Sequence, residues 1–376
     1  MQSQKILLLG VTVMLVFLRK ALSFLLSALV LFSCTCFGSM KKQQESLSSV
    51  QKLADGLYTM NYTYDYDIDE LLKNGVSNHI ELILKGIRKS FLKGNLPALG
   101  CTTFNAVTPE GNYIFARNFD YIECDHALVW THPKNGYASV SSVSMLFNGY
   151  DKDFTAENKM NRSFMMLAPY VPFDGMNEKG LSIGILELEC PAVFQLTEKP
   201  NLTCTMMIRA VLDKAATVQE AIEIFRAYDL REPLFMPNYS YHYHIADASG
   251  NSVVVEYING KMNLIYPEKK DGNRVDYIAA ANYCLTPGAD DPNGMGQERV
   301  AKVYSYLYKT SGVLSTVQAM DVLHRVSMDE DDLHGFICST IWSIVYDQTE
   351  LTLKLCSQNN FEKVFEFSVD KPQIVK

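Results

Sequence analysis

The chain reads Leu99-Gly100-Cys101-Thr102-Thr103-Phe104, and sixteen residues after this cysteine it reads Arg117-Asn118-Phe119-Asp120. Cleavage of the Gly100–Cys101 peptide bond would give Cys101 a free α-amino group beside its own thiol. An α-amine has a pKa of roughly 7.7–8.0, so it can take the thiol proton near neutral pH. The pattern therefore indicates an internal cleavage site, Gly100 and Cys101, that generates a cysteine nucleophile at a new N-terminus.

The residues around Cys101 have the pattern of a β-hairpin. Residues 101–107 read as a strand, residues 109–112 (Pro-Glu-Gly-Asn) as a turn, and residues 113–118 as the returning strand. Such a hairpin brings Arg117 and Asp120 beside the thiol. Arg117 would then favour the thiolate, and Asp120 would orient the ammonium or hydrogen-bond the thiol. A buried structural cysteine in an ordinary hairpin fits the same spacing, so the local pattern leaves both interpretations open.

Four further motifs follow in chain order: Phe173-Asp-Gly-Met-Asn177-Glu-Lys-Gly-Leu181, Asn282 in Ala-Ala-Asn-Tyr, Gln297-Glu-Arg299-Val, and Ser339-Thr-Ile-Trp-Ser-Ile-Val-Tyr-Asp347. Together with the hairpin they resemble the N-terminal-nucleophile (Ntn) hydrolases of the choloylglycine hydrolase group. This group contains conjugated bile salt hydrolases, penicillin V acylases and other linear amide C–N hydrolases, and the acid ceramidases are more distant relatives. The resemblance covers about residues 100–370.

The resemblance implies an α+β fold, the four-layer αββα sandwich of Ntn hydrolases. The apolar periodicity agrees with alternating pairs of strands and helices. It predicts helices at residues 203–215, 218–228, 297–309 and 316–326, and closing strands near residues 337–346, 350–356 and 361–368.

The resemblance also implies a charged catalytic group. Cys101 is implied as the nucleophile and, once freed, as the base. Arg117 and Asp120 flank it, and Arg299 completes the charge network.

Two asparagines are implied to stabilise the oxyanion that forms when an amide is attacked. Asn177 would donate its main-chain N–H, and Asn282 its side-chain amide. Prepositioned donors of this kind can each contribute roughly 3–4 kcal/mol to transition-state stabilisation. Read without the resemblance, Asn177 is equally a turn residue and Asn282 a strand-end residue.

One feature differs from the bile salt hydrolases, in which the cysteine lies almost at the initiator position. Here 100 residues precede Cys101, as in the precursors of acid ceramidases and acylases. The difference indicates autoproteolysis, in which the thiol attacks the Gly100 carbonyl and water resolves the resulting thioester. Glycine suits this position because it tolerates strained dihedral angles.

The segment before Cys101 divides into two parts. Residues 1–39 read as a signal peptide or a membrane anchor, with Arg19-Lys20 ahead of an apolar run at residues 21–32 and with Cys34 as a candidate for lipid attachment. Residues 40–100 read as a polar linker (residues 40–56) and a pro-segment with a helix over residues 67–93. The expected location is therefore outside the cytoplasm or at the cell surface, with N-terminal membrane association.

Charge separates the pro-segment from the remainder of the chain. Residues 1–100 carry 11 basic and 7 acidic groups, and residues 101–376, predicted as the catalytic domain, carry 23 basic and 35 acidic groups. Opposite net charges favour docking of the pro-segment on the acidic body. An acidic body without a basic, aromatic-rich surface argues against nucleic acid as a partner.

No metal or cofactor is expected from the sequence. The nine cysteines contain no C-x-x-C pair. His242 and His244 share one strand face, but a third ligand is missing nearby, so a half-buried strand face is the favoured interpretation.

The leading hypothesis is an exported, autoproteolytically activated cysteine amidohydrolase that cleaves a small linear N-acyl amide through a thioester on Cys101. An acyltransferase would use the same acyl-enzyme, and an inactive surface lipoprotein would only bind acylated ligands. The resemblance also makes a homo-oligomer possible.

Overall fold

Two large β-sheets form the centre of the computed structural model, which describes residues 37–75, 100–151, 153–231, 239–270, 273–274, 277–329, 331–333 and 336–371. The strands, numbered along the chain, are β1 (Gln51–Ala54), β2 (Leu57–Tyr62), β3 (Gly100–Val107), β4 (Tyr113–Ile122), β5 (His126–Thr131), β6 (Ser139–Ser144), β7 (Asp174–Asn177), β8 (Ser182–Leu188), β9 (Asn201–Leu202), β10 (Asp229–Leu230), β11 (Ser240–Ala246), β12 (Ser252–Ile258), β13 (Lys261–Ile265), β14 (Lys269–Lys270), β15 (Asn273–Arg274), β16 (Ala279–Ala280), β17 (Asp331–Leu333), β18 (Phe336–Asp347), β19 (Thr352–Ser357) and β20 (Phe365–Ser368).

Sixteen of these strands pair into one nine-stranded and one seven-stranded sheet, and the other four form the two-stranded pairs β9–β10 and β14–β15. The first has the order β1-β2-β5-β6-β7-β8-β11-β12-β13, and the second has the order β16-β3-β4-β18-β19-β20 with β17 also paired to β18. The α-helices are α1 (Phe37–Ser48), α2 (Ile68–Asn74), α3 (Cys204–Lys214), α4 (Val218–Ala227), α5 (Gln297–Lys309) and α6 (Thr316–Arg325), with 3-10 turns at Met145–Asn148 and Asn161–Tyr170.

The sheets and helices stack in four layers. Helices α3 and α4 pack on the nine-stranded sheet, whereas α5 and α6 pack on the seven-stranded sheet. The inner faces of the sheets meet, for example where His244 of β11 contacts the Thr103 hydroxyl of β3 at 2.9 Å. This arrangement confirms the predicted α+β αββα sandwich, and all four predicted helices lie within one residue of their expected bounds.

The central strands β3 and β4 are covered on both faces, by a sheet on one side and by helices on the other. Strands buried in this way are normally apolar. Nevertheless, Cys101, Arg117, Asn118 and Asp120 on these two strands are all fully buried. Buried polar groups need partners, so this layer contains the polar network of the molecule.

The predicted linker is wrong for residues 40–56. These residues belong to α1 and to β1, and β1 pairs with β2. Strand β2 in turn pairs in parallel with β5, residues Leu57 to Tyr62 lying beside His126 to Thr131. The physical reason is that strand pairing between distant segments leaves little trace in local composition. The N-terminal segment is therefore an integral edge of the nine-stranded sheet.

Other predictions for the N-terminal segment fall partly outside the described residues. Of the helix predicted at residues 67–93, α2 covers Ile68–Asn74, and residues 76–93 lie outside the described ranges. The predicted apolar signal or anchor likewise lies almost wholly outside them, in residues 1–36. Within the described parts of the chain, no helix combines the length and apolar character needed to cross a membrane.

Candidate active site

The β3–β4 hairpin has a register that the sequence alone leaves open, and it places Arg117 and Asp120 close to Cys101. Gly100 lies opposite Asp120, Cys101 opposite Phe119, and Thr103 opposite Arg117. Arg117 and Asp120 are therefore both within one or two residue positions of the cysteine across the strand pair. The hairpin prediction is confirmed.

Cys101 is held at both its main chain and its thiol. Its N–H donates to Asn282 Oδ1 over 2.6 Å, and Arg117 Nη2 lies 3.5 Å from its Sγ. Burial raises the pKa of the thiol to about 11, while the positive charges of Arg117 and Arg299 act in the opposite direction. Arg117 favours the thiolate, as predicted, but desolvation in the intact chain outweighs it.

Arg117 is fixed by contacts from the opposite sheet. Its Nη1 donates to the Phe173 carbonyl over 2.7 Å, and its Nε lies 3.1 Å from Asp174 Oδ2. Asp174 also accepts hydrogen bonds from Trp342 Nε1 at 2.9 Å and from the Tyr346 hydroxyl at 2.6 Å. With the carboxylate oriented by two other donors, the guanidinium has little freedom to leave the thiol.

Arg299 joins Asp120 to Asn282. Its Nη1 donates to Asp120 Oδ2 over 2.7 Å, and its Nη2 donates to Asn282 Oδ1 over 3.0 Å. The Thr340 hydroxyl donates to the other Asp120 oxygen over 2.5 Å. Burial raises the pKa of Asp120, although Arg299 and the Thr340 hydrogen bond oppose this shift. The planar guanidinium thus bridges Asp120 and Asn282, whereas a lysine at this position would contact only one of them at a time.

The Asn282 side chain has a fixed orientation. Its Oδ1 faces two donors, the Cys101 N–H and Arg299, so its Nδ2 must point the other way, where it donates to the Glu187 carbonyl over 3.0 Å. An amide nitrogen carries two N–H groups. One is used by Glu187, and the second is available for an oxyanion.

Asn177 does not join this group. Its Nδ2 donates to the Leu212 and Ala215 carbonyls, at the C-terminal end of α3, over 2.9 and 2.7 Å. Its main-chain N–H donates to the Leu181 carbonyl over 3.0 Å. Both donors therefore stabilise a turn and a helix end. The predicted oxyanion role is not supported by this geometry, and the alternative interpretation of Asn177 as a turn residue fits it.

The structure gives a steric reason for glycine at position 100, rather than the strained backbone dihedral angles expected from the sequence. Gly100 is absent from the residues with positive φ, so it adopts no left-handed backbone strain. A Cβ at this position would lie 2.7 Å from Met328 Sδ and 2.8 Å from Asp120 Cβ. Space, rather than backbone conformation, therefore excludes any side chain at the predicted cleavage site.

Three buried groups near Asn282 were missed by the sequence analysis. Glu187 is 3% exposed, and its negative charge contributes to the raised pKa of Cys101. His242 contacts Glu256 Oε1 at 3.1 Å and the Ala281 carbonyl at 2.8 Å. Their only sequence signal is a polar residue in an otherwise apolar strand. For His242 the sequence predicts a half-buried strand face, whereas the side chain is fully buried.

Glu256 holds the segment that follows Asn282. It accepts hydrogen bonds from the main-chain N–H groups of Leu285 and Thr286 at 2.9 and 2.8 Å. Together with His242 it therefore contacts the chain on both sides of Asn282. Within the described residues, no group of three or more His, Cys, Asp or Glu side chains is placed to hold a metal ion.

A cleft of about 600 Å³ leads to the Gly100–Cys101 bond. Its lining includes Gly100, Met295, Arg299, Lys302, Arg325 and Met328. Cys101 itself is fully buried behind Gly100. The cleft therefore reaches the carbonyl side of the bond before it reaches the thiol.

Sequence comparison identifies relatives of the chain, and the profile match includes Cys101, Arg117 and Asp120 but ends before Asn282 and Arg299. Residues 101–277 match the profile of the linear amide C–N hydrolases, choloylglycine hydrolase family. The chain is 27% identical over 189 residues to a penicillin V acylase of Pectobacterium atrosepticum, covering 45% of this chain and 47% of that protein. It is 25% identical over 173 residues to a bile salt hydrolase/transferase of Clostridium perfringens, covering 44% of this chain and 50% of that protein. The chain thus spans about half the length of the curated relatives it matches.

Solved structures show the same fold. Two crystal structures of conjugated bile acid hydrolase from Clostridium perfringens, both of mutant forms, superpose with TM-scores of 0.50 and 0.52 at 17% and 16% identity. Each covers 73% of this chain and at least 95% of the other. By its profile match over residues 101–277 and its two curated relatives, this part of the chain is similar to the choloylglycine hydrolase family of linear amide C–N hydrolases.

Proposed function

We propose that the protein is a cysteine amidohydrolase that cleaves the C–N bond of a small linear N-acyl amide through a thioester on Cys101. One observation carries the proposal: the nitrogen of Cys101 is held by Asn282 at 2.6 Å while its thiol contacts Arg117. After cleavage, the same nitrogen would be an α-amine already held beside its own thiol. Nucleophile and base would then need no further positioning.

We propose that the chain creates this amine by autoproteolysis. The Cys101 sulfur attacks the Gly100 carbonyl carbon, the C–N bond breaks, and the nitrogen receives the thiol proton. Water then hydrolyses the thioester, which leaves a carboxylate on Gly100 and a free thiol on Cys101. The absence of a side chain on Gly100 supports this step, because the bond is packed directly against Asp120 and Met328.

Amide hydrolysis would use the same atoms. The α-amine takes the thiol proton, the thiolate attacks the acyl carbonyl, and the second N–H of Asn282 donates to the oxyanion. The leaving amine receives the proton, and water hydrolyses the thioester to a carboxylic acid. Departure of Gly100 would open Cys101 to the cleft and reduce the desolvation that now raises its pKa, so that Arg117 stabilises the thiolate more effectively.

Transfer of the acyl group to an amine is a second candidate activity. The Clostridium perfringens relative carries both hydrolase and transferase in its name. The acyl-enzyme is common to both reactions, so only the acceptor differs. Adding a primary amine to the assay and identifying the products by mass spectrometry distinguishes them.

We further propose export, on the basis of the charged and apolar run within residues 1–39. Whether that run is removed or retained as an anchor decides between a released and a membrane-associated enzyme. Fractionation of the producing cells with an antibody against residues 101–376 tests this. Recovery of the whole protein from the cytoplasm would contradict export.

The intact mass and N-terminal sequence of the purified protein test the central proposal. A fragment beginning Cys-Thr-Thr-Phe is expected in the parent protein and should be missing in Cys101→Ala, which should also lack hydrolase activity on N-acyl amides. Cys356→Ala, a buried cysteine on β19, is the matched control and should be processed normally. An active Cys101→Ala protein would refute the proposal.

A further inference from the structure

Two cysteines lie side by side next to the Asn282 segment. Cys190 follows β8 by two residues, and Cys284 follows Asn282 by two residues. The two thiols are within hydrogen-bonding contact of each other. Both are free and partly exposed, whereas Cys101, Cys204, Cys338 and Cys356 are buried. The pair therefore combines proximity with access for a reagent.

The surrounding contacts fix this proximity. The Asn282 side chain binds the Glu187 carbonyl at 3.0 Å, which joins the two segments just before the cysteines. The main-chain N–H of Cys284 donates to Asp291 Oδ2 over 2.6 Å. The next two residues are held by Glu256. The backbone on the Cys284 side is thus fixed independently of the thiol contact.

We propose that Cys190 and Cys284 are a disulfide-forming pair that covalently joins the end of β8 to the Asn282 segment. Disulfide formation by exchange needs a small-molecule disulfide as oxidant. The Cys190 thiolate attacks one sulfur of that disulfide, forming a mixed disulfide and releasing one thiol. Cys284 then attacks the Cys190 sulfur and releases the second thiol. The oxidant gains two electrons, and the protein loses two hydrogen atoms.

The electrostatics assign the order of the two attacks. The hydrogen bond from Cys284 lowers the pKa of Cys190 and raises that of Cys284, while Asp291 and Glu256 disfavour a thiolate at either sulfur. Cys190 is therefore the thiol that ionises first and begins the exchange.

The crosslink would stabilise the fold without disturbing the site. It closes the chain between residues 190 and 284, a loop that contains β11, β12 and β16. Closure of a loop of this length restricts the unfolded chain, and we expect the unfolding midpoint to rise by about 5 °C or more. Because Asn282 already contacts the β8 end, amidohydrolase activity should be retained in the oxidised protein.

The test is peptide mapping of the full-length protein after incubation with oxidised glutathione. The expected result is one linked pair of peptides that contains Cys190 and Cys284, together with the rise in unfolding midpoint. Alkylation of both cysteines after oxidation, or a link from either one to a different cysteine, would overturn the proposal. This measurement needs no variant and is independent of processing at Cys101.

Serine variants identify the source of the thermal shift. Cys190→Ser and Cys284→Ser should each lose the linked peptides and the oxidation-dependent shift. Cys124→Ser is the matched control, since Cys124 is also partly exposed but contacts the Ser144 hydroxyl at 3.4 Å. The Cys124→Ser protein should keep both the linked peptides and the oxidation-dependent shift. A shift that persists in Cys190→Ser would show that the stabilisation comes from elsewhere.

Discussion

Asn282 Oδ1 accepts hydrogen bonds from the Cys101 N–H and from Arg299, and this orientation leaves the Asn282 Nδ2 as the donor of the site. The roles of the oxygen and the nitrogen of this side-chain amide can therefore be tested separately by mutation. One end holds the Cys101 nitrogen, and in the proposed reaction the other would stabilise the oxyanion.

Asn282→Asp should keep the acceptor and lose the donor. The Cys101 N–H keeps its acceptor, but the hydrogen bond to the Glu187 carbonyl is lost, so the unfolding midpoint should fall. At a temperature where the variant is folded, KM should change little while kcat falls by about 10²–10³-fold. Steady-state kinetics and the unfolding midpoint together check this. Full kcat in Asn282→Asp would assign oxyanion stabilisation to another group.

Arg299→Met should destabilise the fold by about 3–5 kcal/mol, because it removes the ion-pair partner of a fully buried carboxylate. Adding Asp120→Asn should recover part of this loss, since the buried charge is then removed as well. Urea unfolding of all variants in a Cys101→Ala background, which prevents processing, measures the coupling. Strictly additive losses would contradict a direct Arg299–Asp120 interaction.

Gly296→Ala should reduce both processing and activity. Gly296 has a φ of 88°, and a Cβ there would lie 2.6 Å from Arg299 Nη2. Gly288→Ala is the matched control: its φ is 76°, but a Cβ would meet nothing within 4 Å. Alanine at a positive φ should destabilise both variants by about 1–2 kcal/mol. Only Gly296→Ala also displaces Arg299, so only this variant should have a lower kcat at a temperature where both are folded. Equal kcat values would argue against displacement of Arg299.

Glu256→Gln should reduce the loss of unfolding free energy that occurs as the pH falls into the acid range. The contacts with His242 and Thr286 lower the pKa of Glu256 to about 2, from an unfolded value near 4.5. A lowered carboxyl pKa stabilises the fold above the unfolded value, and this contribution is lost as the pH falls from about 4.5 towards 2. The loss is on the order of 3 kcal/mol, measured by urea unfolding at several pH values. Glu223→Gln, at an exposed ion pair, should leave the loss in the acid range unchanged.

The two fragments that autoproteolysis would produce should remain associated. Strand β2 pairs with β1 and β5 inside the nine-stranded sheet, and Leu57, Tyr58 and Met60 are almost fully buried. Size-exclusion chromatography of processed protein should therefore show both fragments in one peak, separating only in denaturant. Loss of the N-terminal fragment in native buffer would contradict this packing.

The sequence predicts those parts of the site that depend on local pairing. The return of Arg117 and Asp120 to the neighbourhood of Cys101 follows from the length of one hairpin, whereas the exact register does not, and the resemblance adds Asn282 and Arg299. The role of Asn177 was not predictable in this way, because its amide is used by carbonyls 35 and 38 residues further along the chain. Asp174 and Thr340 were missed for the same reason: their partners lie on strands that only the tertiary fold brings near.

The N-terminal strands illustrate the same limit. The strands in residues 51–62 are short and contain polar positions, and β5, the parallel partner of β2, begins 69 residues after β2 does. A parallel pairing over that distance has no local signature. The helices, in contrast, follow from periodicity and end signals; for example, Ser315 and Gln318 form the reciprocal cap that begins α6.

The Trp342–Asp174 hydrogen bond also gives the site its own optical reporter. The chain contains only two tryptophans, Trp130 on β5 and Trp342 on β18, so each sheet carries one fluorophore. The Trp342 ring stacks on Phe119, directly across the strand pair from Cys101, with ring centres 3.9 Å apart. Its emission should respond to changes in charge at the Arg117–Asp174 pair, whereas that of Trp130 reports on the nine-stranded sheet. If Cys101 is processed and acylated as proposed, both steps should therefore change the fluorescence of the unlabelled protein.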